Sequence, residues 1–353
     1  MPHRIGRPVI GLVVGAVVLA VVGLGVWLGR SDDSALSRAV RSAPAGAERL
    51  SWTDWAGVRR ELASQVDAGS SVDDLGAFLD EAFEADLSSR SALLESAPAL
   101  HQHFGWSPAT VEWELYSQSS QGAVVTLGLP DDADFADLGD RLEALGYARP
   151  SDDGGVWAGG TDLLASIDPA LTPELAYLAL DADDHLLLAS DQQAFLEEAL
   201  APATGDADGV KGLSDVAEAL DQPLSAAIYT GDYACGALAM ANADTADQAE
   251  AAELIAAAGT VDPYRAFAMG ARAGGAVRVA MEFADVDQAR ANADSRAVLA
   301  SGPAVGQGGD FADRFTLDKA RADGRVMTLD LDPLEGQYVL SDLSTGPVLF
   351  ATC

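Results

Sequence analysis

The sequence predicts an α+β protein with an N-terminal transmembrane helix, a small helical subdomain and two tandem modules of mostly antiparallel sheet covered by helices. Three observations predict this class: an uncharged apolar run near the N-terminus, helical periodicity after it, and a strand-helix-hairpin pattern that occurs twice. The predicted boundaries are 1–30 for a cytoplasmic tip and the membrane helix, 31–47 for a tether, 48–105 for the helical subdomain, and 106–205 and 206–353 for the modules.

The membrane helix is predicted from residues 9–28, 20 residues without a charge. A helix of about that length crosses a hydrocarbon core of ~30 Å. Arg4 and Arg7 precede the run and two aspartates follow at 32–33, so the positive-inside rule places the N-terminus in the cytoplasm and the remainder outside. A cleaved signal peptide is the alternative, but its apolar core usually has about 7–15 residues. Because this run is longer, we expect an uncleaved signal anchor in the cell membrane, and a lipoprotein is excluded because no cysteine lies near the run to carry a lipid.

The tether and the helical subdomain follow. Residues 31–47 are small and polar and show no sustained period, which is typical of a short linker. Ser51 and Asp54 resemble a capping box, and Asp73 and Asp74 suit the start of a second helix. We interpret the tryptophans of the first stretch as core residues, with a ligand platform as the alternative. The predicted apolar faces are Trp52, Trp55, Val58 and Leu62, then Val72, Leu75, Leu79 and Phe83, then Leu93, Leu94, Ala97 and Leu100.

The first module shows strand, helix and hairpin patterns in turn. Residues 122–129 form a Val-rich strand that ends at Pro130, and an amphipathic helix with inward Phe135, Leu138, Leu142 and Leu145 ends at Gly146. A short strand at 154–160 and a hairpin over 175–190, turned at Asp-Ala-Asp-Asp, precede another helix at 191–200.

The same pattern returns about 153 residues later, which indicates an internal duplication. Residues 274–285 parallel 121–132, the helix of 286–300 parallels that of 133–145, and 314–332 again form a hairpin. A strand-helix-hairpin unit leaves one sheet face to be covered by helices, which is the α+β arrangement.

These runs, GAVVTLGLP, VWAGG, ELAYLALDADDHLLLASDQQAFLEEAL and GLSDVAEAL, resemble a bacterial family of membrane-anchored exported proteins of unknown function with repeated strand-helix-hairpin modules. The resemblance covers about Glu112 to Ile228. It implies an architecture and a location in the cell envelope, and it supplies no catalytic residue.

The charge of the chain excludes one class of partner. With 55 acidic and 21 basic residues the formal charge is −34, spread along the chain. Such a surface repels phosphate backbones, because nucleic-acid affinity depends on Lys and Arg neutralising phosphates. We therefore expect no nucleic acid as a partner, and instead a protein or a cell-wall component.

The two cysteines, Cys235 and Cys353, are predicted to form a disulfide, as is usual for an exported domain. The alternative is a reactive thiol at Cys235, which needs a nearby base or a helix N-terminus to lower its pKa. The segment around Cys235 suits a helix start, but no histidine follows His185. The disulfide would fasten residues 343–353, which we expect to form a terminal strand.

Metal chemistry has two candidate segments. His101 and His103 supply two ligands where zinc needs three or four, so we interpret them as residues of a helix C-terminus. The segment from Asp181 begins like a calcium-binding EF-hand loop but has Leu186 at the glycine position and Gln192 at the glutamate position, which favours a hairpin turn. A weak cation site at the other acidic clusters stays open.

Motifs of familiar enzymes are absent from the sequence, including G-x-S-x-G, H-E-x-x-H and the P-loop pattern. We therefore assign no catalytic, cofactor-binding or metal-binding residue, and no cofactor. The predicted function is a single-pass membrane-anchored extracytoplasmic protein whose module binds an unknown ligand without catalysis. The alternatives are a cell-surface enzyme, such as a cation-dependent hydrolase, and a structural or assembly subunit of a membrane complex.

Overall fold

The computed structural model describes residues 34–152 and 154–353, in which all strands belong to one antiparallel sheet. Its strand order is β10-β11-β9-β8-β7-β1-β2-β3-β6-β5-β4. The strands are β1 (Arg49–Thr53), β2 (Trp113–Gln118), β3 (Ala123–Gly128), β4 (Val156–Ala158), β5 (Tyr177–Asp181), β6 (Leu186–Ser190), β7 (Ser225–Thr230), β8 (Ala266–Ala271), β9 (Val277–Glu282), β10 (Phe315–Asp323) and β11 (Val326–Pro333).

Helices cover both faces of this sheet. The α-helices are α1 (Ala35–Ser42), α2 (Trp55–Glu61), α3 (Val72–Glu84), α4 (Ala97–Ala99), α5 (Phe135–Leu145), α6 (Thr161–Ile167), α7 (Gln193–Ala203), α8 (Ser214–Ala219), α9 (Gly231–Ala237), α10 (Thr245–Ala258), α11 (Val286–Leu299) and α12 (Val339–Leu343). A π-helical turn, Leu100–Phe104, continues α4, and 3-10 turns are Pro173–Ala176, Met240–Asn242, Phe311–Asp313 and Leu349–Ala351.

The predicted fold class, with two separate tandem modules, is wrong. Strand β1 lies between β7 and β2 and pairs with both, so the strands of the two predicted modules form one continuous sheet. A strand in this position satisfies the backbone hydrogen-bonding groups on both of its edges, which would otherwise be exposed at the edges of two smaller sheets.

The internal repetition takes another form, because the strand order is the same on both sides of the β1/β7 contact. Outward from β1 the order is β2, β3, β6, β5, and outward from β7 it is β8, β9, β11, β10. In each half a long helix, α5 or α11, precedes the outer hairpin. The two halves are therefore topologically equivalent and share one sheet.

The predicted helical subdomain is also wrong, because β1 occupies its start. Trp52, predicted on the apolar face of a helix, is in β1, stacks on Trp113 at 5.4 Å and donates its indole N–H to the Pro223 carbonyl at 3.1 Å. Helix α2 begins only after Asp54, whose carboxylate accepts from the Gly57 amide at 2.7 Å. Long-range strand pairing thus overrides the helical spacing of this segment.

Helix α3 has the acidic first turn that was predicted, but a different buried face. Ser71 and Asp74 form a capping box at its N-terminus. Its buried residues are Leu75, Phe78 and Ala82, whereas Val72 and Phe83 are 37% and 54% exposed. The third predicted stretch is mostly irregular, with α4 and the π-helical turn at its end.

The predicted membrane helix, residues 9–28, lies outside the described residues. Among the helices of residues 34–152 and 154–353, none combines the length and the apolar character needed to cross a membrane. In place of the expected tether, the chain forms α1, which buries Leu36 and Val40.

Several local predictions are confirmed. Helix α5 is capped by Asp134, which accepts from the Ala136 and Asp137 amides at 3.1 and 3.0 Å, and it ends at Gly146 with φ 104°. The two predicted hairpins are β5/β6 and β10/β11. These features depend on neighbours in the chain, so the sequence pattern is sufficient to predict them.

Apolar clusters of buried residues hold helices on the sheet, and two of them bear on the site. The larger core extends across one face and includes Trp55, Phe104, Phe267 and Phe311. A smaller core on another part of the sheet packs Phe195 and residues of α7 onto β3, β5 and β6. The candidate site described next lies at the edge of the larger core.

Candidate functional site

The C-terminal segment of the chain is fastened by a disulfide. Cys235, in α9, is bonded to Cys353, with their Cα atoms 5.7 Å apart. The expected terminal strand over 343–353 is wrong, because this segment forms the end of α12 and the 3-10 turn Leu349–Ala351. Its apolar residues enter the larger core, so the segment is held by burial and by the disulfide instead of by a strand ladder.

Arg296 of α11 donates the hydrogen bonds that backbone carbonyls of this segment would receive from a neighbouring strand if the segment were in the sheet. Its Nη1 donates to the carbonyls of Phe350 at 2.6 Å and Thr352 at 2.8 Å, and its Nη2 donates to Asp262 O at 2.7 Å. The guanidinium also lies over the ring of Tyr264, 5.4 Å from its centroid. Burial lowers the pKa of Arg296 to about 10. Arg296 therefore has a structural role beside the site.

A cavity of about 630 Å³ opens next to this fastened segment. Helices α10 and α11, the loop after α11, strand β10 and the last 3-10 turn form its walls. Its lining residues are Leu254, Ala257, Ala258, Ala297, Val298, Leu299, Ser301, Gly302, Pro303, Leu317 and Leu349. The volume falls within the range of about 300–1,000 Å³ that is typical of small-ligand sites.

The chemistry of the lining is apolar. Among the described residues that line the cavity, Ser301 has the one polar side chain, and its hydroxyl already donates to the Ala297 carbonyl at 2.8 Å. Val298 is 59% exposed. Such a lining binds apolar groups by removing them from water, and it presents no side chain suited to acid-base or nucleophilic chemistry.

Helix α10 forms a loosely packed wall of this cavity. Of its residues, Ala251 alone is buried, while Ala252, Ala256 and Ala257 are exposed. Few buried apolar contacts give a segment a low free energy of local opening. The α10 wall is therefore held by few buried apolar contacts.

Two other concave regions are lined by charged residues, some of which form ion pairs. In a groove of 840 Å³ beside β4, Arg149 forms ion pairs with Asp140 at 2.9 Å and Glu143 at 3.0 Å. In a depression of 590 Å³ beside α1, Lys211 pairs with Asp208 at 2.7 Å. The lining of the apolar cavity, by contrast, has no charged side chain among the described residues.

The histidines singled out in the sequence have structural contacts. Both ring nitrogens of His101 are hydrogen-bonded, Nδ1 with Ser107 Oγ at 3.0 Å and Nε2 with the Ser70 carbonyl at 2.8 Å. His103 lies in the same π-helical turn. Among residues 34–152 and 154–353, no group of three or more His, Cys, Asp or Glu side chains is arranged to hold a metal ion.

The segment that resembles an EF-hand loop is a hairpin turn, as predicted. The Asp181 carboxylate accepts from the amides of Asp183 and Asp184 at 3.0 and 3.2 Å. His185 has a positive φ of 55° directly before β6. The acidic side chain at the first position therefore stabilises the turn itself.

Sequence reasoning missed a polar cluster in the middle of the sheet. Glu114 of β2 is 1% exposed and accepts from Trp55 Nε1 at 3.0 Å, Ser91 Oγ at 2.6 Å and the Ala92 amide at 2.6 Å. Burial raises its pKa to about 6, against the opposing effect of these hydrogen bonds. The sequence signal that could have indicated this cluster is the alternation of polar residues in β1, at Arg49, Ser51 and Thr53.

Comparisons with known proteins assign no family. No protein-family model matches the chain, and no curated protein matches it. Two solved structures are similar: crystal form I of TP0453, at 8% identity and a TM-score of 0.40, covers 91% of this chain and 100% of that chain. Crystal form III of TP0453, at 7% identity and a TM-score of 0.39, covers 87% and 96%. Similarity of this degree supports no inference about fold or function.

Proposed function

We propose that this chain is a membrane-anchored extracytoplasmic protein whose folded domain binds an apolar group of a cell-wall component or partner protein, without catalysis. The observation that carries the proposal is the 630 Å³ cavity, whose lining among the described residues has one polar side chain, Ser301, with its hydroxyl hydrogen already donated to the Ala297 carbonyl. An apolar lining gains free energy from the area that a ligand removes from water, about 25 cal/mol per Å².

The proposed location has two supports of its own. The disulfide between Cys235 and Cys353 is of the kind that persists in oxidising, extracytoplasmic compartments. The uncharged run at 9–28, with Arg4 and Arg7 before it, has the length and flanking charge of a signal anchor.

The occupant that best suits the cavity is an acyl chain of an envelope component. A chain of this kind is uniform in its apolar character, so it requires no polar partner from the lining. Each buried methylene contributes about 0.8 kcal/mol. An aromatic or aliphatic side chain of a partner protein is the other apolar group that this lining suits.

The test is photolabelling of the full-length chain in intact cells with a fatty acid that carries a diazirine, followed by peptide mapping. We expect the label on peptides that contain 254–258 and 297–303. Ala297→Trp fills the cavity and should remove most of the labelling. Ala252→Trp is the matched control, because Ala252 is exposed on α10 and does not line the cavity. Equal labelling of both variants, or labelling elsewhere, would contradict the proposal.

A further inference from the structure

Two arginines, Arg49 and Arg90, are near the middle of the sheet, and neither lines the apolar cavity. Arg49 begins β1 and is directly opposite Tyr229 in β7 and Gln118 in β2. Side chains of directly opposite residues lie on the same sheet face, with Cβ atoms about 4.5–5.5 Å apart. The Arg49 side chain is therefore placed beside the Tyr229 ring.

Arg90 reaches the same place from a loop. Its neighbour Ser91 donates to buried Glu114 at 2.6 Å, as does the Ala92 amide, so the loop is held against the sheet. Burial raises the pKa of Tyr229, and the positive charges of Arg90 and Arg49 oppose that shift. Both guanidinium groups are therefore near the Tyr229 hydroxyl, Arg49 through the strand pairing and Arg90 through a side-chain hydrogen bond.

In the part of the chain that the structure describes, no carboxylate oxygen lies within 4.0 Å of a nitrogen of either arginine side chain. The Nε atoms of Arg49 and Arg90 are both buried without a hydrogen-bond partner among these residues. The chain has 55 acidic residues, and most of its other described arginines do form ion pairs. Those paired arginines are Arg59, Arg60, Arg141, Arg149, Arg272, Arg278, Arg290, Arg321 and Arg325.

Half-buried cations without carboxylate partners are costly, because burial removes part of the hydration of the charge. Arg49 and Arg90 are both partly buried, and Tyr229 is 2% exposed. The Tyr229 hydroxyl donates a long hydrogen bond to the Ser344 carbonyl at 3.5 Å and is also hydrogen-bonded with the Arg90 side chain. The cluster thus places two guanidinium groups without carboxylate partners beside one buried hydroxyl.

We propose that Arg49, Arg90 and the Tyr229 hydroxyl form a binding site for an anionic oxygen group, a phosphate or a carboxylate. Guanidinium groups bind such oxygens through two parallel N–H donors, and two arginines around one group supply both charge and orientation. This site is separate from the apolar cavity, and the inference does not depend on the proposed function. A small or terminal anionic group suits it, because the chain's overall negative charge opposes a polyanion.

The test uses the full-length protein in micelles of a neutral maltoside detergent, titrated calorimetrically with inorganic phosphate and with citrate at constant ionic strength. Short-chain phosphatidylglycerol and phosphatidylcholine are added to the micelles in parallel. We expect saturable binding of at least one anionic probe and none of phosphatidylcholine. Binding of inorganic phosphate or citrate identifies a free anion as sufficient, whereas binding of phosphatidylglycerol alone identifies a lipid headgroup.

Arg49→Gln and Arg90→Gln should each weaken binding about tenfold or more, because each removes a charged donor. Arg290→Gln is the control, since the Arg290 side chain is 70% exposed and pairs with Asp287. It should bind like the wild type. Absence of saturable binding to every anionic probe, or unchanged affinity in both variants, would overturn the proposal.

A second measurement covers the case in which the glutamine variants do not fold. A ligand that binds the native state raises the unfolding temperature. The wild type should therefore melt higher in phosphate or citrate than in chloride of equal ionic strength, and Tyr229→Phe, which keeps the ring, should reduce that rise. An equal melting temperature in all three salts, together with no effect of phosphatidylglycerol, would also overturn the proposal.

Discussion

The carboxylate of Asp86 accepts a hydrogen bond from the backbone amide of Leu340 at 2.7 Å, across a separation of 254 residues. It also accepts from the Ser341 amide at 3.2 Å, and so satisfies the first turn of α12 from outside that helix. Asp86 has a positive φ of 57° and is 7% exposed. The loop after α3 is thus tied directly to the C-terminal segment that the disulfide also holds.

Asp86→Ala should release the N-terminus of α12. Two or more charge-assisted hydrogen bonds are lost, so we expect the free energy of unfolding to fall by about 1–3 kcal/mol. Hydrogen exchange of the Leu340 and Ser341 amides should accelerate more than exchange in the central strands. Asp342→Ala, at an exposed position of the same helix, is the control and should leave both amides protected. Equal exchange in the two variants would refute this role of Asp86.

Removal of the disulfide by Cys353→Ser should destabilise the C-terminal segment. The bridge closes a loop with a sequence separation of 118. In the chain-entropy model such a loop is worth about 4–5 kcal/mol, and we expect a loss of about 2–5 kcal/mol in denaturant unfolding. In the wild-type protein, neither cysteine should be alkylated before a reductant is added, as measured by intact mass. Immediate labelling of both thiols would contradict the proposed extracytoplasmic location.

Arg296→Met should be among the most destabilising single changes in the second half. It leaves the carbonyls of Phe350, Thr352 and Asp262 without their buried donor. Each buried acceptor that loses its donor costs about 1–3 kcal/mol. Arg290→Met on the same helix removes an exposed arginine and should cost less than about 0.5 kcal/mol. Urea unfolding of the two variants checks the prediction, and similar midpoints would show that Arg296 is dispensable.

Glu114 should make stability depend on pH. Its pKa is raised from 4.5 to about 6 in the folded state. The folded protein therefore holds this proton more tightly than the unfolded chain, so the contribution is fully present below pH 4.5 and is lost as pH rises through about 6. The loss amounts to about 2 kcal/mol. Glu114→Gln should remove this part of the pH dependence when unfolding free energies at pH 4.5 and 7.5 are compared. An unchanged pH slope in the variant would exclude Glu114 as its source.

Local features were predictable because they depend on near neighbours. Asp134 and Gly146 at the ends of α5, and the turn begun by Asp181, follow from capping and turn chemistry within a few residues. The cysteine pair was predictable from the presence of two cysteines and from the predicted extracytoplasmic compartment. Trp52 was misassigned because its spacing to Trp55 and Val58 also suits a helix, whereas its pairing with Ala226 decides for a strand.

The candidate sites could not be predicted in the same way. Leu254, Leu317 and Leu349, which line the apolar cavity, come from three distant segments that the sheet and the C-terminal segment bring together. Arg49 and Arg90 likewise come near Tyr229 only because β1 pairs with β7 and because Glu114 of β2 holds the loop that carries Arg90. No short sequence pattern records such proximity.

By itself, the sequence determined the local helices and hairpins, the repeated strand-helix-hairpin pattern and the disulfide pair, because each depends on chain neighbours or on residue type. The tertiary structure alone decided that both halves share one sheet through β1, that the last residues enter the core, and which side chains surround the apolar cavity and the arginine cluster. The physical reason is that strand partners and core contacts are chosen by the burial of apolar surface and the pairing of backbone groups across the whole chain.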